Sequence, residues 1–266
     1  MRELLKTDLR RILKDKLFLI VCILGAVFAI FTPILSQFLI IGLDIDEELV
    51  GSFSTAKSMF FSAFSLSGNF GLILPILLSI VICKDFSYGT VRNKIISGKS
   101  RSSIFLSMFL SSSIIICATM LIHALITLVI SLCFFPYQIE SFTIGSVGYL
   151  LLSLLFSILI YVFVSALISF LCVFMKNVGL SIVIYVAINF LFSIVGTVIS
   201  LAATFSGSDS KVLEILQKAN LFTATHIGTG VSYSLLDVLC TLLPIFIGTA
   251  FCLFWGNCIF KKKDLK

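Results

Sequence analysis

Residues 17–43 read LFLIVCILGAVFAIFTPILSQFLIIGL, a stretch without a single Asp, Glu, Lys or Arg. A helix on the surface of a soluble protein keeps a charged face, and this one has none. Bilayer hydrocarbon is about 30 Å thick, so roughly 20 apolar residues rising about 1.5 Å each span it. The stretch is long enough, and backbone amides in lipid must pair within their own segment, which makes it a helix. Its apolar core is too long for a cleaved signal peptide and ends without a small-x-small site.

Five further runs share this character, at 65–83, 103–135, 145–174, 179–205 and 235–260. The alternation of a barrel strand is absent from all of them. The run at 103–135 is longer than a bilayer needs and is expected to tilt or to protrude. Composition agrees: 59% of the chain is hydrophobic and 12% charged, against roughly 25% charged in an ordinary soluble domain. The expected fold is all-α, a single transmembrane domain over 1–266 with six transmembrane helices.

Charge sets the expected orientation. Segments 1–16, 84–102, 175–178 and 261–266 hold sixteen of the nineteen Lys and Arg residues and five of the thirteen acids. Loops that stay in the cytoplasm retain bases, so both termini and the loop 84–102 are expected inside. Basicity is then a matter of topology, and no nucleic-acid partner is implied. The eight cysteines, at 22, 83, 117, 133, 172, 240, 252 and 258, all lie within or at the ends of apolar runs, without C-x-x-C pairs. They read as buried free thiols.

Residues 1–16 predict an amphipathic helix. Leu5, Leu9, Ile12 and Leu13 fall on one face, while Arg2, Lys6, Arg10 and Lys14 follow one another four apart on another. Such a helix lies at the inner leaflet with its bases on anionic lipid. The same residues also read as a plain topogenic tail. The loop at 44–64 opens with Asp44, Asp46, Glu47 and Glu48, a solvated acidic segment rather than a cation cage. Gly68, Asn69, Gly71 and Pro75 predict a kinked, closely packed second helix, and Pro33 and Pro244 do the same for the first and last. Segment 206–234 is the longest external connection, with a short amphipathic helix expected over 209–219 and a surface-lying stretch over 221–233.

Motifs of chemistry are missing. The chain has no H-E-x-x-H, no G-x-S-x-G and no G-x-x-x-x-G-K-[ST], so no catalytic, metal or cofactor residues are expected in it. His123, Asn69 and Asn189 read as hydrogen-bonding contacts between helices rather than a proton relay. Ion-coupled carriers place carboxylates or bases near the midplane, and the spans offer none there.

The informative segment is KDFSYGTVRNKIISGKSR over 84–101. It predicts a short amphipathic helix lying across the end of a hairpin, with Val91, Ile95 and Ile96 free to enter a partner's groove and Arg92 and Lys94 on acidic residues or the membrane. A positive-inside loop without a partner is the plainer reading.

This segment resembles the permease subunits of type-2 ATP-binding-cassette exporters. An acid followed by Gly-Thr, a short helix, then Ser-Arg opening the next span is matched by Asp85, Gly89-Thr90, Arg92 and Ser100-Arg101. Chain length, six spans, a basic N-terminal helix and a long last external loop fit as well. Gly98-Lys99 stands where proline often precedes Ser-Arg, and Met108 lies where a lysine is often found. The resemblance implies that Asp85, Gly89, Thr90, Val91, Arg92, Asn93, Ile95, Ser100 and Arg101 form a coupling element docked on a separate cytosolic P-loop ATPase, which would hold the ATP and magnesium. It also implies a second permease, identical or similar, in a bacterial plasma membrane. The function expected is export of an apolar or amphipathic substrate such as a peptide, lipid or drug-like molecule. The alternative is a non-transporting immunity or sensor protein that binds an antimicrobial peptide.

Overall fold

The computed structural model describes residues 1–42, 55–66, 69–135, 144–205, 215–216, 219–220 and 235–262. The acids at 44–48, Gly68 and nearly all of 206–234, including most of the helix expected over 209–219, lie outside them, as does the side chain of Asn69.

Among the described residues the architecture is entirely helical. In chain order the helices are α1 (Arg2–Lys14), α2 (Lys16–Gly42), α3 (Ala56–Ser62), α4 (Asn69–Ser87), α5 (Thr90–Ile96), α6 (Arg101–Ser131), α7 (Ile144–Met175), α8 (Val178–Phe205) and α9 (Leu235–Lys262). Six of them, α2, α4, α6, α7, α8 and α9, are long and apolar enough to cross a membrane. The chain is a multi-pass membrane protein. With 31 residues α6 is about 46 Å long, so it outruns a bilayer core of about 30 Å as its composition demands.

α6 and α7 form the centre. α9 lies along α7 and also touches α6, α2 packs on α6, and α4 fits between α7, α8 and α2. The α6–α7 seam is built from small polar residues. Ser112 and Ser165 share a hydrogen bond of 2.7 Å, and Ser113 donates to the same Ser165 oxygen at 2.9 Å. Serine lets two backbones approach, and its hydroxyl finds a partner across the helices where lipid offers none. By contrast α2, α8 and α9 turn rows of large apolar side chains outward, among them Ile23, Val27, Phe190, Val198, Phe246 and Phe254. Lipid solvates these rows, so they need no protein cover.

The loop expected over 44–64 contains the helix α3. Thr55 caps it: its hydroxyl accepts from the Ser58 amide at 3.1 Å, and the Ser58 hydroxyl accepts from the Thr55 amide at 3.1 Å. Phe61 and Phe64 are buried against the bundle, and α3 lies on α6. The chain then leaves helical geometry before α4 begins. Tyr161 donates to the Phe64 carbonyl at 3.0 Å and Asn189 to the Leu66 carbonyl at 3.3 Å. Non-helical backbone inside a membrane protein persists only where its polar groups are satisfied, and these two side chains supply that. The second span is therefore broken at its start rather than merely kinked. Gly71 fits the break tightly, because a Cβ there would stand 2.0 Å from the Ser65 carbonyl oxygen.

All eight cysteines are free, and Cys83, Cys172 and Cys252 are buried. His123 makes the interhelical contact expected of it, with Nδ1 3.0 Å from the Gly25 carbonyl oxygen of α2.

Candidate functional site

Both termini of the described chain and the short helix α5 gather at one end of the bundle, which carries most of the basic residues. The first two helices join there at Asp15, whose extended backbone (ψ 127°) stops α1. Its carboxylate accepts from the Leu17 amide at 3.0 Å, capping α2, and takes Lys84 at 3.4 Å. Helix α1 is thus turned back along the end of the bundle onto α6.

The buried face of α1 is Leu4, Asp8 and Ile12. Of the apolar stripe expected at the leaflet, Ile12 instead faces the bundle, while Leu5 and Leu9 are half-buried and Leu13 is exposed. Leucines recur on two adjacent faces of this helix, and hydrophobic spacing alone does not say which one docks. Arg2, Lys6, Arg10 and Lys14 are all exposed, as their spacing indicates.

Asp8 is the less expected member. Its carboxylate takes Lys94 Nζ of α5 at 2.6 Å on one oxygen and the Ser107 hydroxyl of α6 at 2.8 Å on the other. The Asp8 and Lys94 side chains are 3% and 14% exposed. A carboxylate buried this deeply costs several kcal/mol in desolvation, and only a close cation with further hydrogen bonds offsets it. The sequence held a signal for it, an acid in line with Leu4 and Ile12 at four-residue spacing on a predominantly basic helix.

Asp85 forms a second junction. Arg11 of α1 grips it with both terminal nitrogens, Nη2 to Oδ2 at 2.6 Å and Nη1 to Oδ1, a forked geometry that fixes both planes. The Thr90 hydroxyl sits 2.9 Å from the Asp85 carbonyl oxygen and 3.0 Å from Oδ1. Gly89 between them has φ 68°, a left-handed conformation that lets α5 start with only Tyr88 and Gly89 between it and the end of α4. Asp85, Gly89 and Thr90 are consequently one turn, clamped to α1.

The remaining residues of the segment divide by direction. Val91 is buried and Ile95 packs against the bundle core, so neither is available to a partner's groove as their apolar character suggested. Ile96 is exposed, together with Tyr88, Arg92 and Asn93. Gly98, at φ 82°, ends α5 with its amide on the Ile95 carbonyl at 2.9 Å. Ser100 caps α6, accepting from the Ser103 amide at 3.3 Å, and Arg101 donates to the Lys261 carbonyl of α9 at 2.9 Å. Asp85, Thr90, Val91, Ile95, Ser100 and Arg101 therefore build the end of the bundle, while Arg92 and Asn93 are presented by it. Sequence reasoning missed Asp8, Arg11 and Ser107, which complete the site from other helices.

Among the described residues no group of three His, Cys, Asp or Glu side chains could hold a metal ion. No curated protein matches the chain. A family model described as "Protein of unknown function (DUF2705)" matches residues 18–266, nearly the whole chain, and the chain belongs to that family.

Proposed function

We propose that this chain is the permease subunit of an ATP-driven exporter, worked by a separate cytosolic P-loop ATPase that docks on α5. The observation that carries the reading is the division of α5 into two faces. One is fixed to α1, α4 and α6 through Lys94–Asp8–Ser107 and Thr90–Asp85–Arg11; the other offers Arg92, Asn93 and Ile96, with Tyr88 exposed in the turn before them. A handle of this kind transmits force. A push on the outer face is carried by these ion pairs into the start of α6 and the end of α4, so the helices move as a unit instead of the loop yielding.

In this reading the basic end faces the cytoplasm of a bacterial cell, and ATP and magnesium are bound on the partner. A second permease, identical or similar, completes the pathway, and the load is an apolar or amphipathic molecule. The resemblance of Asp85, Gly89-Thr90 and Ser100-Arg101 to the exporter pattern supports it. So does the lack of midplane carboxylates in the spans, which leaves the driving energy to come from elsewhere.

The test is affinity purification of the tagged chain from its native cells in mild detergent, with partners identified by mass spectrometry. A P-loop ATPase is expected in amounts equal to the permeases. Arg92→Glu should reduce its recovery by about tenfold or more, since reversing a charge in an interface costs several kcal/mol. Recovery of the chain without any ATPase, under conditions that preserve a known transporter complex, overturns the proposal and favours the immunity or sensor reading.

A further inference from the structure

Where α3 stops and α4 has yet to start, the bundle encloses a cavity of about 180 Å³ between α2, α3, α4 and α6. It lies apart from the α5 site and is independent of the exporter reading. Phe28 and Phe70 wall it, and Thr32, Ser62, Thr127 and His123 give it polarity.

The protons of these polar groups are already committed. Thr32 donates to the Phe28 carbonyl at 2.7 Å, Ser62 to Met59 at 2.9 Å and Thr127 to His123 at 3.0 Å. The imidazole is in the same position. Its Nδ1 lies on the Gly25 carbonyl, and a carbonyl oxygen only accepts, so Nδ1 carries the hydrogen. The neutral ring then has its lone pair on Nε2. His123 is 8% exposed and its ring lies against Phe70, with centroids 4.6 Å apart. The cavity thus offers acceptors without donors, so it is made for an occupant that donates.

Charge and access narrow the class. Among the described residues no carboxylate lines the cavity, so a cation there would lack a counter-ion, at a cost that hydroxyl oxygens do not recover. Of the lining residues Thr32 and Ser62 are exposed, and Phe31 and Leu35, on the same helix as Thr32, turn apolar side chains outward. An occupant arriving along that face must first dissolve in lipid. For scale, an engineered cavity of about 150 Å³ in another protein accommodates benzene.

We infer that this cavity is a binding site for a small neutral molecule with an apolar body and one hydrogen-bond donor, of the phenol class, whose hydroxyl donates to His123 Nε2. The apolar body rests between Phe28 and Phe70, and the hydroxyl oxygens of Thr32 and Ser62 hold water above it.

The chain has two histidines, so selective ¹⁵N-imidazole labelling of the full-length protein in lipid nanodiscs yields a spectrum that His226→Gln assigns. Phenol and toluene are the probes, equal in shape and different in the hydroxyl. Phenol should move the His123 Nε2 resonance saturably and bind about tenfold more tightly than toluene, the value of one hydrogen bond to a buried acceptor. His226 should move with neither. Ala63→Leu, which places a larger side chain in the cavity wall, should weaken phenol binding by about tenfold while the Nδ1 signal of the Gly25 bond persists. Equal response to phenol and toluene, or a shift that grows without saturating, overturns the assignment. The wild-type comparison decides this even where Ala63→Leu does not fold.

Discussion

Asp8 and Asp85 each do for the chain what a single apolar contact could not, because a buried carboxylate specifies its partner as well as its place. Asp8→Ala leaves the Lys94 ammonium, 14% exposed, without its counter-ion and Ser107 without its acceptor. Removal of one member of such a pair costs about 3–5 kcal/mol, so the variant should melt well below the wild type in detergent. Pairing the change with Lys94→Met should recover more than half of the loss, because the stranded charge goes with it. A double-mutant cycle on thermal unfolding reads both numbers. Gly89 makes a cleaner test of backbone. Nothing lies within 4 Å of the place its Cβ would occupy, so Gly89→Ala meets no clash, only the left-handed φ of 68°. The expected cost is about 1–2 kcal/mol, and Gly89→Asn should cost less, since asparagine tolerates that region.

At the level of elements, the break between α3 and α4 shows what sequence reading reaches. Gly71 and Pro75 marked the second span as irregular, and it is. What they could not show is that α3 returns to the bundle, because Phe60, Phe61 and Phe64 in a loop are equally compatible with a surface-lying segment. The segment that follows the helix is held by Tyr161 and Asn189, nearly a hundred residues and more away, and long-range satisfaction of carbonyls has no local pattern. The six spans, by contrast, are legible because solvation by lipid is a property of each run by itself. α1 falls between these cases: its helix and basic face are written in the spacing, whereas the choice between its two leucine faces depends on α6. For the break itself, Gly71→Ala puts a methyl group 2.0 Å from the Ser65 oxygen and must displace one element or the other. We expect a loss of at least about 3 kcal/mol, seen as a sharp fall in monodisperse protein on size-exclusion chromatography, with Gly148→Ala as a comparison that meets no contact within 4 Å.

Across the whole molecule, the uneven placement of bases predicts sidedness. In a background without native cysteines, Lys99→Cys should react with a membrane-impermeant maleimide only in inverted vesicles, and Lys57→Cys only in intact cells. The opposite labelling would reverse the orientation and remove α5 from the reach of a cytosolic partner. The proposed coupling site was partly legible at this scale too. Its outer half, Arg92 and Asn93, lay within one contiguous segment, but its inner half joins residues from α1, α4, α5 and α6 that only the fold brings together.

The pairing of Asp8 with Ser107 also governs the order in which the protein is made. These residues are separated by 99 positions, so at a translation rate of about 5–20 residues per second the N-terminal helix waits roughly 5–20 s for its seat to be synthesised. During that interval two spans have already been synthesised, and Asp8 has neither Lys94 nor Ser107 to meet. The N-terminus thus locks only after α6 has begun, although it is the first to be born, α9 reaches the same end later still, and a chain truncated before Ser107 carries its first helix undocked.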